Sequence, residues 1–109
     1  MPEILRILGQ KAPTADVLTD LYTVPVDTQT SVSSIIVCNQ SAEYVLFSVS
    51  LAIGGAEDSP EQYIYFSVPL EANDSFVATL GISMTAGDVM RVKTNHETVS
   101  FNVFGVEVS

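Results

Sequence analysis

Few residues in this chain could do chemistry: one histidine, one short cluster of carboxylates, one cysteine and four tyrosines. His96 sits between Asn95 and Glu97 at a turn. As a general base it would need a nucleophile or a second acid brought to it from elsewhere in the chain. Serines and aspartates are present, but no GxSxG elbow or other positional signature organises them into a nucleophilic triad, and His96 reads as a solvated turn residue. Glu57, Asp58 and Glu61 offer the oxygen ligands that a hard cation such as calcium takes, yet their spacing is not that of an EF-hand loop. They read as a solvated acidic loop, with a cation shared between subunits as the alternative. Zinc has no ligand set in a chain with a single His and a single Cys. No catalytic residue, metal site or cofactor is therefore expected.

Tyr22, Tyr44, Tyr63 and Tyr65 raise a different chemistry, the stacking of aromatic faces on sugar rings. Strand tyrosines also pack in cores and interfaces, so a carbohydrate-binding module stands as an alternative. Gly54 and Gly55 have no following helix or nearby Lys, which a phosphate cradle requires. Asn39-Gln40-Ser41 and Asn73-Asp74-Ser75 match the glycosylation sequon and read as ordinary turns. Cys38, alone, cannot form an internal disulfide and is expected to be a buried thiol.

The elements that would position these groups are strands. Tyr44 to Ile53 alternates Val45, Phe47, Val49, Leu51 and Ile53 with mostly small or hydroxylated residues, the two-residue period of a strand with one apolar face. Leu18 to Val24 ends at Pro25, and Ser31 to Cys38 is apolar on both faces at Ile35, Ile36 and Val37, as in a central strand or one covered by a partner. Glu61 to Val68 sets Tyr63 and Tyr65 against Ile64, Phe66 and Val68. Ser75 to Ile82 points Phe76, Ala78, Leu80 and Ile82 inward, and Asp88 to Thr94 points Met90 and Val92 inward. Thr94 to Glu97 is short enough for a hairpin. In Thr98 to Val108 the apolar phase moves from Val99, Phe101 and Val103 to Phe104, Val106 and Val108, as a β-bulge beside Gly105 would produce. Residues 1–17 form an N-terminal strand or extended arm, and 18–109 the domain: an all-β antiparallel sandwich or jelly roll of seven to eight strands.

Composition narrows the partners. Among 109 residues, thirteen acids against four bases give a net charge of −9. That balance disfavours nucleic acid and anionic membranes. The strand-like segments carry polar residues too often for a membrane helix, and the apolar run near the N-terminus is too short for a signal peptide. Yet 47% of residues are hydrophobic and mean hydropathy is +0.33, which points to apolar surface held against partner proteins.

Several segments together resemble a known group. LTDLYTVP (Leu18 to Pro25), SSIIVCNQS (Ser33 to Ser41), VPLEANDSF (Val68 to Phe76), TLGISMTAGDVMRV (Thr79 to Val92) and VSFNVFGVEVS (Val99 to Ser109) are similar to the small structural proteins of tailed-bacteriophage virions. The resemblance implies a non-enzymatic capsid decoration (cement) protein, a homotrimer on the outer surface of the capsid that clamps neighbouring major capsid protein subunits and stabilises the shell. A neck, tail or fibre subunit of the same kind of particle is the alternative. Partner contact is assigned to the N-terminal segment through Ile4, Leu5, Ile7 and Leu8, whose side chains have no evident place in the sandwich. Deleting Met1 to Gln10 is then expected to abolish shell binding while leaving a folded domain.

Overall fold

The computed structural model describes residues 3–109 and is all-β. Its strands are β1 (Glu3–Lys11), β2 (Thr19–Thr23), β3 (Gln29–Asn39), β4 (Val45–Ala52), β5 (Tyr63–Leu70), β6 (Ser75–Thr85), β7 (Val89–Thr94) and β8 (Val99–Val108). They form two four-stranded antiparallel sheets, a first sheet in the order β1-β8-β3-β6 and a second in the order β2-β7-β4-β5. Among sequence neighbours only β4 and β5 pair with each other. β1 pairs with β8, β2 with β7 and β3 with β6, so the chain doubles back after β4 and its two arms wind up together, and the β3–β8 and β4–β7 pairs join these ribbons into the two sheets. No described helix is long and apolar enough to cross a membrane.

The sheets close on the inward residues of their alternating strands. Val45, Phe47 and Val49 from β4 are buried against Ile35 and Val37 from β3, Met90 and Val92 from β7, and Val99, Phe101 and Val103 from β8. Phe47 is the centre of this contact, with its ring centroid 5.1 Å from Phe76 and 6.2 Å from Phe101, both contributed by the first sheet. Tilted and edge-on rings at these separations use the aromatic quadrupole as well as the buried area.

Two close approaches fix the register. A Cβ on Gly105 would run into the Ser31 carbonyl oxygen and the backbone of Val32, and one on Gly9 would run into the Leu21 carbonyl oxygen. Only glycine lets β8 lie this close to β3, and β1 this close to β2. Asn39, wholly buried at the end of β3, ties two turns together. Its Nδ2 donates to the carbonyls of Glu43 (2.8 Å), Glu71 (3.0 Å) and Leu70 (3.2 Å), while its Oδ1 accepts from Ser41 N–H and Oγ. The first sequon is thus a structural clamp whose amide nitrogen is engaged in the interior.

Several sequence expectations change. β4 stops at Ala52, and the 3-10 turn Ile53–Gly55 turns Ile53 out to 83% exposure, because Gly54 takes a left-handed conformation that ends the alternation. Thr94 to Glu97 does not close a hairpin, since β7 pairs with β2 and β4 while β8 pairs with β1 and β3, so this turn carries the chain from one sheet to the other. The bulge expected beside Gly105 lies in the partner strands, where the pairing slips at Leu8 of β1 and Ser33 of β3. β8 keeps its alternation, so Phe104, Val106 and Val108 are outward residues. Cys38 is likewise outward and half-buried, because Val37 and Asn39 take the inward positions.

Candidate functional site

The groups that could have carried catalysis stay apart. The His96 Nδ1 lies 3.0 Å from Thr98 Oγ1, and the Thr98 N–H also donates to it at 3.3 Å, so the ring closes its own turn two residues on. In the acidic loop, Ser59 Oγ donates to Glu61 and holds its carboxyl below the usual range. Gln62 Nε2 donates to the carbonyl of Glu57, and Asp58 sits beside Tyr63. Among the described residues no group of three His, Cys, Asp or Glu side chains is placed to hold a metal ion.

The N-terminal segment is a strand of the first sheet, with its first two residues outside the described ones. Leu5 lies opposite Val106, and Ile7 opposite Phe104. Leu5 is 84% exposed, while Ile4 and Ile7 are about half exposed. Leu8, at the register slip, is different: it is partly buried and packs against the core.

Leu5 and Ile7 belong to a larger surface. On the outer face of the first sheet, β8 contributes Phe104, Val106 and Val108, β3 contributes Ile36, and β6 contributes Val77, which is 64% exposed. Between them lie Ser31, Ser34, Thr79, Ser83, Ser100 and Asn102. By register and alternation, Glu3 is the single charged residue on this face among the described residues, in a chain with thirteen acids and four bases. Alternation in β8 carried a visible signal of it: the shift of apolar residues to Phe104, Val106 and Val108 marks a strand with something to bury on both sides.

The outer face of the second sheet is built differently. Arg91, in β7, donates to Asp20 at 3.1 Å and to the carbonyls of Ala56 (2.7 Å) and Gly55 (3.1 Å), which straps the β4–β5 connection over this face. Ala52 and Val89 are buried beneath that strap. Farther along, β5 carries two register slips, one at Ile64 and one at Phe66 and Ser67. Residues three apart in a regular strand face opposite ways. The slips instead bring Tyr63 and Phe66 together edge to face, with centroids 5.2 Å apart and an interplanar angle of 87°. Tyr65, between them, points inward onto Phe47 and Phe76, so the two tyrosines that the sequence placed on one face are separated. Burial, and a hydrogen bond to Asp58, push the Tyr63 phenol above its ordinary pKa.

One polar cluster closes an end of the sandwich. Tyr22 donates from its hydroxyl to Glu107 at 2.5 Å and lies 2.7 Å from Thr30 Oγ1, while Arg6 reaches the same Glu107 at 3.2 Å. Burial first, and the bond to Glu107 second, push the Tyr22 phenol up to about 12. The cluster links β1, β2, β3 and β8, and it explains why Tyr22 can be buried in a core.

No protein-family model and no curated protein matches the chain. Among solved structures, it is similar to a pentameric capsid protein isolated from metagenomic phage sequences, with a TM-score of 0.40 and 13% identity over 96% of this chain and 59% of that one. A second structure of such a protein, solved by iodide SAD phasing, gives a TM-score of 0.36 and 12% identity over 96% of this chain and 60% of that one. The chain therefore spans about three-fifths of the length of those proteins. Likeness at this level fixes neither fold nor role.

Proposed function

We propose that the protein is a non-enzymatic structural component of a phage virion, a decoration protein that sits as a homotrimer on the outer capsid surface and clamps major capsid protein subunits. The observation that carries this reading is the outer face of the first sheet, where Leu5, Ile7 and Val77 stand exposed on a surface with one charge in a chain of net charge −9. Two copies of this acidic chain can meet there with little opposition of like charges. Many copies of a modest apolar contact, multiplied by symmetry, hold a shell by avidity.

Two further observations support it. We read the winding of β1 on β8, β2 on β7, β3 on β6 and β4 on β5 as a jelly roll, a double-sheet architecture used by viral capsid domains, lectins and cupins. Fold alone does not choose among those roles. The strand and turn segments from Leu18 onward, which resemble small virion proteins, favour the first.

Leu5 and Ile7 are the contact residues in this reading; Ile4, paired with Glu107, lies on the other side of β1, and Leu8 anchors the strand to the core. The test is re-addition of purified protein to particles that lack it. Wild-type chain should bind and raise the temperature at which the shell opens; the double variant Leu5→Glu, Val77→Glu should fold and fail to bind. Undiminished binding by that variant would remove this face from the account.

A further inference from the structure

A second surface, on the opposite side of the sandwich, has the makings of a ligand site. Phe66 is 70% exposed. It is held there by a bulge in which Ser67 adopts a left-handed backbone, φ 50°, with its N–H donating to Ser48 Oγ at 2.9 Å. A left-handed conformation is costly for a serine, and here it turns a large aromatic ring into water. The Tyr63–Phe66 pair stands between two clefts, one of about 580 Å³ that reaches Asp58 and Pro60, the other of about 240 Å³ that reaches Asp16 and Asn95. Lys93 borders both clefts. The larger falls within the range of small-molecule sites, roughly 300–1,000 Å³.

These groups define the ligand by its chemistry. An exposed aromatic face takes a flat, C–H-rich surface, and the surrounding carboxylates, ammonium and amide take hydroxyls. Asp16 and Asp58 repel anions, while the single Lys93 does not make the site an attractive one for a carboxylate or phosphate. We propose that the Tyr63–Phe66 ridge, with Asp58, Lys93 and Asn95, binds an uncharged pyranose: the sugar ring stacks on Phe66 and its hydroxyls are held by the flanking polar side chains. The site does not overlap the outer face of the first sheet, so a copy bound through that face keeps it free.

The experiment is an NMR titration of the full chain with maltopentaose, cellopentaose, chitopentaose and, as the anionic comparator, sialyllactose. At least one uncharged sugar should shift the amide resonances of residues 58–66 and 93 saturably, with a Kd of about 1 mM or tighter. Phe66→Ala should weaken that binding about tenfold or more, and Phe66→Tyr should retain it. Phe66 is exposed, so both variants should keep the wild-type thermal transition, which is measured alongside. The proposal is overturned if no uncharged sugar binds, if only sialyllactose binds, or if binding survives Phe66→Ala. Absence of sugar binding together with a change of sedimentation coefficient in Phe66→Ala would overturn it in favour of a protein contact.

Discussion

Ile7 of β1 and Phe104 of β8 lie directly opposite one another, and both point away from the core. An edge strand whose outward pair is Ile and Phe, with Leu5 and Val106 two positions on, has been given a second apolar face where a lone domain would carry Lys or Glu. That relationship separates the proposed contact surface from the folding core.

Substituting Leu5→Glu and Val77→Glu places carboxylates on a surface with one native charge, without touching a buried side chain. Stability should change by no more than about 0.5 kcal/mol in urea unfolding. Self-association, followed by sedimentation velocity, should fall. Deleting residues 1–10 is a blunter change, because it also removes Leu8 from the core and the Arg6 partner of Glu107, and so lowers stability as well as contact.

Gly105 and Gly81 make a matched pair. A methyl group on Gly105 meets the Ser31 carbonyl and the Val32 backbone, whereas one on Gly81 meets open space. Gly105→Ala should therefore cost about 2–4 kcal/mol, and Gly81→Ala should be neutral to within about 0.5 kcal/mol, both read from urea unfolding.

Much of this was legible in the chain. The strands from Leu18 onward, and the inward residues Phe76, Ala78, Met90 and Val92, follow from alternation, which depends only on the pleat. What could not be read was set by pairing between distant segments. Nothing in YIYFSV announces that two slips against β4 will put Tyr63 and Phe66 on the same side, since the slips depend on which β4 residues lie opposite. The Thr94 to Glu97 turn has a length that suits a hairpin and a sheet crossing equally. In β8, the outward row reads as a bulge in the sequence because strand patterns ordinarily have one apolar face.

Asn39 bears the turns at one end of the sandwich. Asn39→Ala leaves three carbonyls without their donor in a buried site and should cost about 3 kcal/mol. Thermal unfolding of this variant beside wild type provides the check.

Tyr22 makes stability sensitive to alkali. Its pKa is raised from 10.0 unfolded to about 12 folded, so the neutral phenol is the form that the fold prefers. Its contribution is complete below pH 10 and is lost as pH rises toward about 12. Tyr22→Phe should remove that part of the alkaline loss, at the expense of the hydrogen bonds to Glu107 and Thr30 at neutral pH. A series of urea midpoints from pH 8 to pH 12 compares the two proteins over roughly that window.

The most direct test of the central claim is the copy number of this protein in purified virions, measured by quantitative mass spectrometry against the major capsid protein. A decoration role requires copies in the same range as the major capsid protein, in a ratio that fits one trimer per local threefold position. A handful per particle would contradict it in favour of a neck, tail or fibre subunit, and absence from the particle would contradict the virion role altogether.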